Sequence, residues 1–363
     1  MLFNIDHDNG KQIVGWIMPN NPSISPRIRV TFGDEPKGVF GATQYRPLLK
    51  EQGLHDTGIC GFVLDDKIVR GLAEVKDLSI FDDDTDLLLY RRRPAGQLLE
   101  TKLLRIETQL LRSYAINDLL RSKFHMYYAG LELIAEETVI SILAIPFTNS
   151  IYATGRIFIR AFEHQVRDRG FKSAILIRDP FEELAERLWV LKLAGSNRDA
   201  KFTLFLGKNV QGPARTLRDV DLFSPEALEN ALLNLDEDSK AILTNSLIRQ
   251  LTSRGSFDTL DRFAVSAALD TLAEIDIVGL TSNLDGFTTL LNTVLKNDEG
   301  FEPITLQVSE RVSELATLLR NIRDIDRLIA MDIELYNSIT EAFHTVERRE
   351  SELVGAETKS GAT

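Results

Sequence analysis

The stretch Lys172–Lys192, KSAILIRDPFEELAERLWVLK, decides how the second half of the chain is read. Residues 174–177 form a short, continuous apolar run with the branched side chains of a buried strand. Arg178-Asp179-Pro180 breaks the run, and Leu184, Leu188 and Leu191 then recur at helical spacing. Asp179 suits the N-cap, Pro180 the first helical position, and Glu182 completes a capping box. The expected unit is a strand, a sharp turn carrying one arginine, and a helix whose N-terminus faces that turn. Such a junction binds anions in α/β folds, because unpaired N–H groups and the helix dipole favour negative charge there. Arg178 is therefore the first candidate binding residue. The alternative is an arginine that pairs with the acids of the next turn.

Working outward, the 363 residues suffice for two domains. With 44% hydrophobic and 26% charged residues the composition is that of an ordinary globular protein. The net charge of −12 argues against sequence-independent nucleic-acid binding, which needs a basic footprint. An anionic small ligand would need a local basic pocket. The single cysteine, Cys60, rules out an intrachain disulfide and a zinc–cysteine site, and no metal is expected. The N-terminus has no signal-peptide pattern and no apolar run approaches a membrane span, so membrane insertion is not expected and the expected location is the cytoplasm.

Residues 1–94 differ from the rest. Apolar runs at 12–17, 27–32, 39–42, 59–64 and 77–81 are separated by Gly, Pro, Asn and Asp, and Ile28, Val30 and Phe32 alternate strictly. This spacing predicts a small all-β sandwich. Trp16, Tyr45 and His55 are weighed as a sugar-stacking surface against the simpler reading of core aromatics. Asp82-Asp83-Asp84 lacks calcium-loop spacing and reads as a solvated turn. Arg91-Arg92-Arg93-Pro94 reads as a linker.

From Gln97 the period changes. Leu98, Leu99, Leu103, Ile106, Leu110 and Leu111 suggest an amphipathic helix, and a second covers 116–137, so 95–138 is expected to be a helical linker, either an interdomain brace or a homodimer surface through 97–137. Residues 139–146 (VISILAIP) read as a buried strand, followed by the polar loop FTNSIYATGR and a helix ending near Gly170. Strand, loop, helix and strand make a βαβ unit. Its loop offers Thr148, Asn149 and Ser150 as donors, Gly155 for close backbone approach, and Arg156 at the far end. Further on, 202–207 suggests a strand, 239–252 one helix, 275–280 a strand, and 309–348 a last pair of helices. The tail 349–363 reads as disordered. The α/β unit is thus expected over 139–348.

Four blocks, in order, resemble the carbohydrate sulfotransferase family that includes heparan-type and bacterial capsule enzymes. They are 141–156 with 174–180, ending in Arg-Asp-Pro; Asn245-Ser246-Leu247-Ile248-Arg249-Gln250-Leu251; the run 275–281 (IDIVGLT); and Asp332-Ile333-Glu334-Leu335-Tyr336 with Phe343. The resemblance covers 139–343. The segment 1–94 resembles a β-domain of bacterial glycan-modifying proteins through Gly15-Trp16, Arg46-Pro47, Gly53 and Gly61-Phe62. These resemblances imply a P-loop-like α/β fold with a parallel sheet flanked by helices, preceded by the sandwich. They also imply transfer of a sulfonyl group from 3′-phosphoadenosine 5′-phosphosulfate to a sugar hydroxyl, with a glycan acceptor or glycan-assembly proteins as partners. Thr148, Asn149, Ser150, Arg156, Arg178 and Arg249 would form the donor pocket.

The chain departs from the family where the donor is held. Phe147 stands at the loop lysine, and Glu183 and Glu186 stand at the arginine and serine of the 3′-phosphate clamp. Two carboxylates there would repel a phosphate. Of the five histidines only His125 and His164 are near the βαβ unit, and no general base is identified. A non-catalytic scaffold or glycan-binding protein in polysaccharide assembly is therefore the alternative function.

Overall fold

The structure, a computed structural model, describes all residues except 94, 95, 97, 198, 199, 257 and 361–363, and of residues 200, 201, 203, 208 and 346–360 only the backbone. The N-terminal part is built from β1 (Leu2–Asp8), β2 (Gln12–Met18), β3 (Arg27–Phe32), β4 (Glu35–Gly41), β5 (Gln44–Tyr45), β6 (Ile59–Asp65), β7 (Leu78–Asp82) and β8 (Leu88–Arg92). They pair antiparallel into two four-stranded sheets, β1-β2-β6-β5 and β4-β3-β7-β8. Ile13, Ile17, Phe62 and Leu64 from one sheet and Ile28, Val30, Ile80 and Leu89 from the other are buried in one core. Alternation of apolar and polar residues along the strands aims these side chains inward.

A third sheet has β9 (Lys102–Ile106), β10 (Met126–Ala129), β11 (Ile151–Gly155), β12 (Phe171–Ile177) and β13 (Ile277–Leu280) in the order β10-β11-β9-β12-β13. Every pair is parallel. Helices flank it, including Ile159–Asp168 and Pro180–Ser196.

The centre of this sheet corrects the sequence reading. Residues 102–106, read as one side of an amphipathic helix, are the middle strand, and all five are buried. A central parallel strand is covered on both faces, so its apolar run has no alternation to distinguish it from a helix. The α/β unit thus begins before residue 139, and the described residues of 97–137 form strands and short helices rather than one continuous helical face. Conversely, 139–146 is not a strand: the helix Glu136–Leu143, with Glu136 and Glu137 in its first turn, covers 139–143, and 144–146 are turn and loop. Of residues 202–207, 202–206 lie in the helix Ala200–Leu206, and Gly207 follows it. The helix expected over 239–252 is two, Glu237–Leu243 and Ser246–Thr252, broken at Asn245. The last helix, Ala330–Ser360, runs through most of the tail read as disordered, and 361–363 lie outside the described residues.

The sandwich is fastened to the parallel sheet. The outer strands β8 and β10 face each other: Tyr128 Oη donates to Leu88 O at 2.9 Å, and Arg93 Nη1 donates to Phe124 O at 3.1 Å. Each sheet therefore covers an exposed edge of the other, an arrangement that prevents edge-to-edge association. Arg91 and Arg92, read as linker, belong to β8, and Arg92 forms an ion pair with Asp8 at 2.7 Å; Pro94 lies outside the described residues. Trp16, Tyr45 and His55 do not share one surface. His55 is buried, its Nδ1 accepting from Gly58 N, while Tyr45 is 54% exposed. Asp82 closes its own turn by accepting from Thr85, and Asp83 and Asp84 pair with Arg27. Among the described residues no helix is long and apolar enough to cross a membrane.

Candidate functional site

From β9 the chain turns to β10 at one edge of the sheet, and from β12 it proceeds to β13 at the other. The crevice outside the C-terminal ends of β9 and β12 is the topological switch point, where open α/β sheets bind their ligands. The loop 107–113 follows β9, Arg156 follows β11 and Arg178 follows β12, so all three reach this end. Thr148, Asn149 and Ser150 precede β11 and lie at the opposite end of the sheet. Their assignment to one pocket with Arg178 is corrected. It depended on 139–146 being a strand, which would have made the loop follow a strand end. Instead Ser150 Oγ accepts from His125 N at 3.0 Å and Thr148 Oγ1 from Ser150 N at 3.1 Å. Phe147 packs edge-on to Tyr90 at 5.5 Å. His164 is 71% exposed and stands outside the crevice's hydrogen-bond network.

The Arg178 turn is built as its sequence predicts. Asp179 caps the Pro180–Ser196 helix, its carboxylate accepting from Phe181 N at 2.9 Å and Glu182 N at 3.2 Å. Arg178 itself is buried, and Nη1 donates to Glu186 Oε2 at 2.6 Å. Eight residues separate the two, and the helix brings the carboxylate back to the turn. The other oxygen of Glu186 accepts from Leu111 N at 3.2 Å. One internal carboxylate thus takes both an arginine and a loop N–H at the switch point, the donors that an external anion would require. Burial, and then the nearby Glu183, raise the pKa of Glu186 to about 7, while Arg178 opposes the shift.

The other guanidinium groups here are also occupied. Arg187 Nε donates to Glu183 Oε1 at 2.9 Å, and its terminal nitrogens donate to Ile242 O at 3.0 Å and to Thr108 O. Arg156 Nη1 donates to Leu110 O at 2.8 Å, and Nη2 donates to Leu206 O. The loop after β9 therefore turns carbonyls toward the arginines, the reverse of a loop that aims N–H groups at a phosphate. Gly155 does permit close backbone approach: a Cβ there would lie 2.5 Å from Leu131 N and 2.6 Å from Glu132 Oε2. What approaches is the protein's own Glu132, which accepts from Arg156 N at 3.0 Å.

Beneath the loop lies a closed polar network. Arg105 Nε donates to Tyr152 Oη at 2.9 Å, and Nη2 donates to Asn117 Oδ1 at 3.0 Å and to Glu107. Glu107 Oε1 also accepts from Asn117 Nδ2 at 3.1 Å and Thr154 Oγ1 at 3.0 Å. The void at this end of β9 is about 10 Å³, the size of one water. The sequence does carry a signal for this network: Arg105 in β9 and Glu107 just beyond its end are two apart, so extended backbone turns them the same way, and a charge inside an apolar run implies a buried partner. Asn117, Arg187 and Gln250 have no comparable local signal, because their partners come from distant elements.

A cleft of about 580 Å³ opens beside this closed region. Arg156 and Arg249 line it, Arg249 being held by Thr244 O at 3.2 Å and Asp258 O at 2.9 Å. Of the six residues expected to form one pocket, Arg156, Arg178 and Arg249 are thus brought to the same end of the sheet. 3′-Phosphoadenosine 5′-phosphosulfate does not fit the Arg178 turn: the Glu186 carboxylate stands against that arginine, and the loop presents the Leu110 and Thr108 carbonyls to Arg156 and Arg187, although Arg178 Nε is buried without a partner among the described residues. Among the described residues no group of His, Cys, Asp and Glu converges to hold a metal. In comparisons with known proteins, the chain matches no family model, no curated protein and no solved structure.

Proposed function

We propose that this chain is a non-catalytic, sulfotransferase-like protein that serves polysaccharide assembly in the cytoplasm as a scaffold or glycan-binding protein. The observation that supports it is the position of Glu186, whose buried carboxylate takes Arg178 Nη1 and Leu111 N, so that a phosphosulfate would meet a negative charge there. Sulfonyl transfer needs cations and N–H groups free to meet the charge that develops on the leaving phosphate. Here those groups hold the fold together. The family resemblance supplies the glycan context, and the parallel sheet with its attached sandwich supplies a rigid frame for partners.

Isothermal titration with 3′-phosphoadenosine 5′-phosphate tests this reading. The expected result is no heat at millimolar nucleotide. Binding that disappears in Arg178→Ala would overturn it.

A further inference from the structure

The sandwich and the parallel sheet enclose a groove of about 370 Å³ along their junction, within the range of small-molecule sites. The outer face of the β4-β3-β7-β8 sheet forms one wall, and residues 127–129 of β10 with Ile134 form the other. Strand register fixes which side chains the first wall presents. Thr31 pairs with Ser79, and Ser79 with Arg91, so the three make one cross-strand row. The next row, Val30 and Ile80, is buried in the sandwich core, and successive strand residues point to opposite faces. Thr31, Ser79 and Arg91 therefore project away from that core, and all three line the groove.

Their polar groups lack partners. The Arg91 side chain is 28% exposed, and its guanidinium makes no hydrogen bond among the described residues; Asp77 Oδ1 stands 4.0 Å from Nε, too far for one. Burial, and then the neighbouring Arg93, lower the pKa of Arg91. Ser79 is only 6% exposed, and its hydroxyl, like that of Thr31, has no partner among the described residues. Such groups, half-buried or buried, are costly unless something from outside meets them. Asp34, exposed in the turn between β3 and β4, lines the same groove and forms no ion pair among the described residues, whereas Asp86 is paired with Arg29. Phe81 and Leu88, paired across β7 and β8, add apolar surface beside these groups. One cation and one free carboxylate balance, which favours a neutral ligand. A donor and an acceptor that do not pair with each other suit neighbouring hydroxyls, because a hydroxyl both donates and accepts.

We propose that this groove binds a neutral sugar: one ring hydroxyl accepts from Arg91 and meets Ser79, a neighbouring hydroxyl donates to Asp34, and an apolar ring face lies on Phe81 and Leu88. The choice of a sugar rests on the glycan-binding branch of the proposed function, whereas the site itself follows from the register and the unpartnered groups. Saturation-transfer NMR on the full chain tests it, with the methyl glycosides of glucose, galactose, mannose and N-acetylglucosamine as probes and glucuronate as the charged comparison. At least one glycoside should bind in the millimolar range, and glucuronate should bind no more tightly than that one. Arg91→Met should weaken that glycoside about tenfold, the ratio that one charge-assisted hydrogen bond provides, and Ser79→Ala about fivefold. Should Arg91→Met not fold, Ser79→Ala and Thr31→Val, which remove single hydroxyls, still decide the point. A glycoside that binds the variants as tightly as the unaltered chain would overturn this site and leave the glycan-binding reading standing. Tighter binding of glucuronate would overturn the neutral ligand. No binding of any glycoside at tens of millimolar would overturn the site and the glycan-binding reading together, leaving only the scaffold.

Discussion

Asn245 and Asp332 cap each other's helices. Asn245 Oδ1 accepts from Met331 N at 3.0 Å and Asp332 N at 3.3 Å, at the start of the Ala330–Ser360 helix. Asp332 in return accepts from Ile248 N at 2.9 Å and Leu247 N at 3.3 Å, at the start of Ser246–Thr252. Two helix N-termini, each with unpaired N–H groups, are satisfied by a side chain from the other. The segments 245–251 and 332–336, far apart in the chain, therefore meet as a structural joint.

Asn245 adopts φ +46°, a left-handed conformation that asparagine tolerates better than most residues. Asn245→Ala loses the cap and incurs the left-handed strain together, a destabilisation of about 2 kcal/mol. Asn245→Gly, which is free of that strain, should cost less. Urea unfolding of the two variants measures the difference, and equal loss in both would remove backbone strain from the account.

Acid pH should stabilise this protein through two buried carboxylates. Burial raises the pKa of Asp332 from 3.8 to about 6, while burial and Glu183 raise that of Glu186 from 4.5 to about 7. Between each pair of values the folded state holds a proton that the unfolded state has released, so stability from these groups falls as pH rises from about 4 to about 7. Above that range their contribution is flat. Thermal unfolding followed across this window should show the decline. Asp332→Asn and Glu186→Gln should each flatten their own part of it, Asp332→Asn below about pH 6 and Glu186→Gln up to about pH 7.

The Arg178–Glu186 pair should be costly to break and cheap to replace. Arg178→Ala leaves a buried carboxylate with only a backbone N–H, a loss of about 3 kcal/mol. Replacing both residues with methionine removes both charges and should restore most of the stability, because the desolvation of two ions disappears with them. Denaturant midpoints of the single and double variants decide the matter. A double variant as unstable as Arg178→Ala would mean that the pair does more than satisfy itself.

Tyr152→Phe tests the network under the β9 loop. The lost hydroxyl accepts from Arg105 Nε and donates to Asn117 Oδ1 at 2.6 Å, so both groups lose a buried partner. A loss of about 2 kcal/mol is expected in chemical denaturation. A value near zero would show that the network reorganises around the gap.

The Arg178 turn was legible because its determinants are adjacent: an apolar run, an aspartate cap, a proline and leucines at helical spacing. The sandwich strands were legible for a similar reason, since Ile28, Val30 and Phe32 alternate and Gly, Pro and Asp mark the turns. The central strand was not. Lys102–Ile106 is an apolar run whose leucines also fit a helix, and only its pairing with β11 and β12 makes it a strand. The helix Glu136–Leu143 was misread in the opposite sense for the same reason. That one pair of misreadings moved Thr148, Asn149 and Ser150 to the wrong end of the sheet in the expected site.

The sequence by itself determined the turn and the capped helix of Lys172–Lys192, because the aspartate cap, the proline and the leucine spacing act within a few residues, whereas the hydrogen bonds of its strand run to β9 and β13. It also placed Glu183 and Glu186 in the first two turns of that helix. Only the tertiary structure decided what they do there. Parallel pairing set β9 beside β12, brought Leu111 N within reach of Glu186, and turned the loop's carbonyls to Arg156 and Arg187. Parallel neighbours contribute no local signal, since their hydrogen bonds join segments far apart in the chain. Arg178 was readable, as was the alternative that it pairs with acids of the following helix; that the acid is Glu186, and that the same carboxylate also takes Leu111 N, came only with the fold.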